Sequence, residues 1–353
     1  MAVPGAGASS GTSVHANDPR RGYVWCVAPS DFLFRPDAPL TRRVISRAPT
    51  RIDLGGGWTD VPPYCEREGG FVCNIAINRY VTATLSGAPG DASDDEVPLV
   101  RAALRRTGAA VAVQLRSDVP LGSGLGGSSA ASAALFTALA EWNGNAWKRS
   151  AIAELGRHVE VEDLGVAGGR QDHYAATHGG ALALTFTSET TVRRLRLSDA
   201  TKSALLQRSI LIYTGESRVS GETITAVLGA YERKDRTVTR ALARMKELAR
   251  EMASALERGD LDAVGEGLAE HWRHQRELHP SIPTARIDEI VATARGNGAV
   301  GAKAMGASGG GCVLVLGRPE RMDALRSALD GLGEPVAFGL DEDGVSVLPG
   351  EAA

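Results

Sequence analysis

The sequence predicts a two-domain α+β protein, and three observations carry that prediction. The chain has 353 residues, more than one ordinary domain needs. Its first half sets β-branched stretches around one Ala/Leu-rich segment of helical composition. Its second half keeps apolar residues three and four apart for long runs, then closes on a strand and a helix–strand pair. The seam falls near 190–220, giving domains over 41–205 and 206–353. Residues 1–40, rich in Ala, Gly, Ser, Pro, Asp and Arg, read as a mobile extension, with Tyr23–Ala28 apolar enough to form a docked strand.

Taken in order, Arg43–Ala48 and Phe71–Leu85 carry the β-branched residues of strands, and the glycines of Arg51–Asp60 between them predict a loop. Val111–Ser117 alternates and reads as a strand. Ser128–Trp142 reads as a helix with Ser128 or Ser129 near its N-terminus. Arg149–Leu164 is a second helix, stopped by Gly165. Ala181–Thr187 and Ser209–Thr214 are strands. Leu242, Met245, Leu248, Ala249, Met252 and Leu256 share one helical face, as do apolar residues over Leu261–Leu278. A helix at Ile287–Arg295, a turn at Gly306–Gly311 and a strand from Cys312 complete the pattern.

Composition narrows the function. A net charge of −3 with no dense Lys/Arg block argues against coating nucleic acid. Four cysteines without CxxC spacing argue against a zinc site or disulfide framework, and fit a reducing cytoplasm. No apolar run reaches the roughly 18 residues of a membrane span. The expected partners are small molecules, with the chain a monomer or homodimer.

PLGSGLGGSSAAS, Pro120–Ser132, follows a predicted strand and opens a predicted helix. Missing side chains let backbone N–H groups approach an anion, and the helix dipole favours negative charge there. A Walker loop would need GK[ST], and no lysine is present. Gly122, Gly124 and Gly127 spell GxGxxG, but no second strand with its acidic residue follows. A tight turn packing helix on sheet is the plain alternative.

Pro120, Gly122, Ser123, Gly124, Leu125, Gly126, Gly127, Ser128 and Ser129 together resemble the nucleotide loop of the galactokinase, homoserine kinase, mevalonate kinase and phosphomevalonate kinase (GHMP) superfamily. Ser46–Asp60 (SRAPTRIDLGGGWTD) resembles its N-terminal motif, and Gly301–Leu316 (GAKAMGASGGGCVLVL) its C-terminal glycine motif. The order matches, and the resemblance runs over about residues 43–348. It implies a ribosomal protein S5 domain 2-like first domain, a ferredoxin-like second domain, and ATP with Mg²⁺ as cofactors. It further implies that Ser128 touches the metal, where local sequence equally allows a helix N-cap. Glu160, twelve residues before Asp172 in His158–Ala176, is the implied metal carboxylate, with Glu162 as runner-up. Asp172 is the implied catalytic base, in a glycine-flanked loop, and Arg51 the implied cation beside it.

For the acceptor, Asp60 and Gly57 are expected on the substrate side, and Gly306, Gly309, Gly310 and Gly311 either line the phosphate or substrate side of the cleft or form a strand-entry turn; Trp58 either stacks on a sugar or is buried. The form of Ser46–Asp60, His158–Ala176 and Tyr213–Ile224 is similar to the D-glycero-D-manno-heptose 7-phosphate kinases, which phosphorylate an anomeric hydroxyl. An acceptor already carrying phosphate wants arginine forks; Arg170, Arg218 and Lys303 are candidates, with Ser217 and Ser220 as hydroxyl donors. His173 stands where the resemblance implies Gln, and Ser308 where it implies Gly, either of which could retune the sugar pocket. Alternatives are a fucokinase-like enzyme for an unphosphorylated sugar, or a sugar-phosphate sensor without turnover. His271 and His274, three apart on a predicted helix, admit a metal reading that lacks a third ligand.

Overall fold

The computed structural model describes residues 42–87, 93–216 and 221–349. The predicted extension over 1–40, with Tyr23–Ala28, and the candidates Ser217, Arg218 and Ser220 lie outside these residues.

β1 (Arg43–Gly55) and β2 (Gly70–Ser86) form a long antiparallel pair, with α1 (Tyr64–Glu68) between them. The loop expected at Arg51–Asp60 therefore begins only at Gly56. Charged and glycine residues read as strand breakers, yet Arg51 and Asp53 are buried strand residues with partners, and the ladder absorbs irregularities at Pro49/Thr50 and Asp53/Gly55 as register shifts. After α2 (Pro98–Thr107), β3 (Ala112–Ser117) pairs with the far end of β2. α3 (Gly127–Trp142) then packs on β1 and β2. α4 (Arg149–His158) runs into a π-helical turn at Val159–Asp163, followed by α5 (Gln171–His178), β4 (Ala181–Phe186) and β5 (Thr190–Arg194).

The second half contains α6 (Asp199–Arg208), β6 (Ser209–Tyr213), α7 (Gly221–Glu232), α8 (Arg236–Arg258), α9 (Leu261–Glu277), α10 (Ala285–Gly296), β7 (Ala299–Ala304) and β8 (Cys312–Gly317), then α11 (Met322–Leu329), β9 (Glu334–Pro335) and β10 (Ser346–Leu348). Strand order is β10-β1-β2-β4-β5 in the first sheet and β7-β8-β6-β9 in the second. The last strand thus returns to pair with the first, Ile45 opposite Leu348.

α8 shows why these elements form where they do. Asp235 accepts hydrogen bonds from the Thr237 and Val238 amides, Gly259 ends the helix in the left-handed conformation, and the predicted Leu/Met stripe is buried throughout. Leu248, Met252 and Leu256 on that stripe join Ile52, Leu54 and Ile75 of the first sheet and Leu211 and Leu314 of the second in one core cluster. That shared core fixes the two sheets against each other, and the loops at their junction carry the candidate site. Among the described residues, no helix is long and apolar enough to cross a membrane.

Candidate active site

The glycine loop turns its carbonyls inward. The Cys312 amide donates to the Ser123 carbonyl at 2.8 Å, the Arg51 amide to the Leu125 carbonyl at 2.9 Å, and the Arg51 guanidinium to the Gly124 carbonyl. These bonds take carbonyls of the loop from behind, while the Ser123 amide closes the turn on the Pro120 carbonyl at 3.2 Å. Gly124 has φ 74°, and a Cβ there would lie 2.7 Å from the Met305 carbonyl oxygen, so the close approach of this loop to the C-terminal glycine motif requires a bare residue. α6, α8, α9 and α10 are each capped by a side chain; α3 is not, its N-cap being Gly126 in the left-handed conformation. Its first amides therefore lack a side-chain cap, the arrangement in which a helix N-terminus can accept an anion. Neither Ser128 nor Ser129 caps the helix.

Arg51 grips Asp172 with two parallel hydrogen bonds, Nε to Oδ1 at 2.8 Å and Nη2 to Oδ2 at 2.7 Å. The guanidinium is buried while the carboxylate keeps about a quarter of its surface (26%) open, so Asp172 is held in orientation and remains reachable. Asp172 lies in the first turn of α5, a helix, where a glycine-flanked loop was expected. It also sits against the cradle: a Cβ on Gly126 would be 3.3 Å from its carboxyl carbon. Two motifs 121 residues apart thus meet at one carboxylate.

Ser128 donates its hydroxyl to Glu160 Oε1 at 2.9 Å, which joins the two residues expected at a metal. Glu160 falls in the π-helical turn, a geometry that re-aims side chains and recurs at functional sites. Burial pushes its carboxyl upward, but contacts from His173 and Ser128 outweigh this and hold it below the ordinary range. Glu162 in the same turn stands 4.0 Å from the Arg157 guanidinium and makes no contact with Ser128.

Several candidates for the substrate side are placed otherwise than expected. Trp58 is buried, at φ 80°, in the cluster of Tyr64, Met245 and Trp272, so it offers no open face for stacking. His173 is 1% exposed and lies behind Glu160 rather than on a sugar pocket. Lys303 is wholly buried, its ammonium on Asp53 Oδ2 at 2.9 Å and on the Asp53 carbonyl at 2.8 Å, beyond reach of a substrate phosphate. Arg170 points its guanidinium at the Thr187 carbonyl, 3.3 Å away. Gly57 makes room for Asp53, whose Oδ2 would be 2.4 Å from a Cβ. Gly309 donates to the Ile282 carbonyl at 2.8 Å, and Gly310 passes close to the Glu216 backbone. Ser308 adopts φ 66°, the conformation that favours glycine; its hydroxyl is anchored by Gln275 Nε2 at 2.9 Å.

Asp60 does reach the site, through the backbone. Its Oδ2 accepts from the Arg170 and Gln171 amides at 2.8 and 2.9 Å, capping α5 just ahead of Asp172. Burial, aided by the Asp172 charge, pushes its carboxyl up to about 6. The folded chain therefore holds this proton more tightly than the unfolded chain does. The resulting stabilisation is complete below the unfolded value of 3.8 and is lost as pH rises through about 6. Asp60→Asn, which can still accept both amides, should flatten that slope, and raise stability above pH 7 by about 2 kcal/mol relative to its effect at pH 4. Thermal melts of both proteins across pH 4–8 check this; parallel curves would refute it.

Sequence reasoning missed a second buried network. Asp53 in β1, Lys303 in β7 and His271 in α9 converge at the junction of the sheets, and His271 Nε2 accepts from the Gly56 amide at 2.9 Å. Burial, with Lys303 beside it, pushes His271 down to about 3, so it is a neutral acceptor that pins the start of the Gly56–Asp60 loop. Among the described residues no group of three or more His, Cys, Asp or Glu side chains gathers as metal ligands. Asp53 fell in the segment expected as a loop, and its partner lies 250 residues away, so no local signal marked this network.

Comparison with known proteins accords with this geometry. The profile for the GHMP kinases N terminal domain matches residues 97–180, and that for GHMP kinases C terminal matches 252–334. The chain is 29% identical over 318 residues to the D-glycero-alpha-D-manno-heptose 7-phosphate kinase of Campylobacter jejuni, covering 82% of this chain and 93% of that one. It is 28% identical over 345 residues to the bifunctional fucokinase/GDP-fucose pyrophosphorylase of Arabidopsis thaliana, covering 85% of this chain but 32% of that larger protein. The crystal structure of a D-glycero-D-manno-heptose 1-phosphate kinase from Bacteroides thetaiotaomicron shares the fold, with a TM-score of 0.71 at 24% identity, over 88% of this chain and all of that one. Nucleotide loop, fold and both matched domains lead to one conclusion: residues 97–180 and 252–334 carry the N- and C-terminal domains of the GHMP kinases, and the chain is an ATP-using phosphotransferase whose acceptor is an alcohol group.

Proposed function

We propose that this kinase phosphorylates the anomeric hydroxyl of D-glycero-D-manno-heptose 7-phosphate, or of a stereoisomeric heptose 7-phosphate, giving the 1,7-bisphosphate for nucleotide-activated heptose synthesis. The observation that carries the chemistry is Asp172, locked by Arg51 against the phosphate loop beside the Ser128–Glu160 pair. The acceptor rests on likeness to the Campylobacter jejuni enzyme across 93% of its length.

In this reading Asp172 accepts the proton of the sugar hydroxyl as the oxygen attacks, and Arg51 orients that carboxylate. The amides of Gly126–Ser129 hold the phosphates. Mg²⁺ fits Ser128 and Glu160, since a hydroxyl and one carboxylate are the sparse, hard donor set that a phosphate-bound Mg²⁺ uses. When bound, it would neutralise charge on the transferred phosphoryl group. Asp60 orders the turn that presents Asp172, and Gly309 and Gly310 shape the cleft. We assign the nucleotide side to residues 41–205 and the remainder of the acceptor side to 206–353, with β10 returning to the first sheet.

ADP release with a panel of heptose 7-phosphates, hexose phosphates and free fucose tests the assignment. We expect kcat/KM at least about tenfold higher for a heptose 7-phosphate than for free sugars, one tenfold step being about 1.4 kcal/mol of differential binding. Higher kcat/KM for free fucose would favour the second reading, which the Arabidopsis likeness supports. Sugar binding without ADP release would mark a sensor.

A further inference from the structure

We propose that His173 is a positioning residue that holds the Glu160 carboxylate toward its metal, and that α4 is built around its ring; this rests on Glu160 being the metal ligand. Glu160 is contacted at both oxygens, Oε1 by the Ser128 hydroxyl at 2.9 Å and Oε2 by His173 Nε2 at 3.2 Å. The His173 contact is close but bent away from ideal alignment, the state in which such contacts often stand before ligands arrive.

One feature of α4 accommodates the imidazole, and the turn that follows carries its partner. Gly156 lies inside α4, where glycine costs about 1 kcal/mol against alanine. A Cβ there would fall 2.9 Å from His173 Cδ2 and 2.4 Å from the Ser132 hydroxyl, so the helix gives up a side chain to admit the ring. Immediately after, the helix widens into the π-helical turn that carries Glu160. Asp172 and His173 are neighbours on α5, so one helical turn orients both the carboxylate gripped by Arg51 and the one touched by Ser128. A buried partner of this kind keeps a ligand pre-aimed, and its loss costs metal affinity rather than nucleotide affinity.

Calorimetry of ADP binding with and without Mn²⁺ tests the proposal, the ratio of the two affinities giving the contribution of the metal. His173→Leu, which fills the space without a donor, should reduce that ratio roughly tenfold, while His173→Gln keeps it within about threefold of wild type. ADP alone should bind all three equally. Should the leucine variant not fold, His173→Asn, too short to reach Glu160, replaces it. An unchanged ratio in the variant lacking the contact, or a glutamine variant that falls as far, overturns the proposal. Glu160→Gln separates the two layers. If its ratio is unchanged, the metal-ligand assignment fails and this proposal with it; if its ratio collapses while that of His173→Leu does not, only the role of His173 is lost.

Discussion

Asp172→Asn should lower kcat by roughly 10³-fold, within the range that loss of a positioned general base produces. The variant keeps the shape of the side chain and one acceptor for Arg51, so the fold should survive. It loses a charge opposite a buried guanidinium, however, and a stability cost of about 1–2 kcal/mol should accompany the loss of turnover, discounted because the carboxylate is partly open to solvent. ADP release and a denaturant melt on the same preparation separate the two effects. Activity within tenfold of wild type in a folded variant would remove Asp172 from the reaction.

The second large effect is on stability. Lys303→Met should cost about 3–5 kcal/mol, because it strands the Asp53 carboxylate inside the protein. Burial pushes the Asp53 carboxyl up, yet Lys303, with Arg51 nearby, holds it below its ordinary value, so the charge is present and needs its partner. Asp53 Oδ1 already has no hydrogen-bond partner, so nothing local can compensate. The melting temperature should fall by roughly 5–10 °C. Asp53→Asn combined with Lys303→Met should recover most of the loss, since the costly species is the single buried charge and not the absence of the pair. The folded fraction of Lys303→Met should keep the acceptor KM of wild type. A raised KM with unchanged stability would instead return Lys303 to the substrate.

These two residues show what reading the chain could reach. The run of glycines before a helix was legible from local backbone sterics, whereas Asp172, Arg51, Ser128 and Glu160 were singled out through the family resemblance: an Asp in a glycine-flanked segment, an Arg after Ala-Pro-Thr, and a Ser and a Glu at the implied metal positions. The structure then brought the four together. Lys303 and His173 were misplaced for one reason. A cationic or ring side chain beside a site motif reads as available to ligand, and only burial reveals that its partner is another residue of the protein. Trp58 follows the same pattern, its ring taken up by the cluster beneath α8. The strand through Arg51–Gly55 was missed because polar residues and glycines look like breakers until the neighbouring strand supplies their hydrogen bonds.

By itself, then, the order of residues determined the α+β class, the helical stripes and the bare glycine loop ahead of a helix. All of these depend on patterns a few residues long, where backbone sterics and periodicity act locally. Tertiary structure alone decided that Asp53 meets Lys303, that Asp60 caps the helix of Asp172, and that His173 stands behind Glu160. Such pairings join residues tens to hundreds of positions apart. Their energy comes from desolvation and charge neutralisation inside the folded body, and no local pattern encodes either.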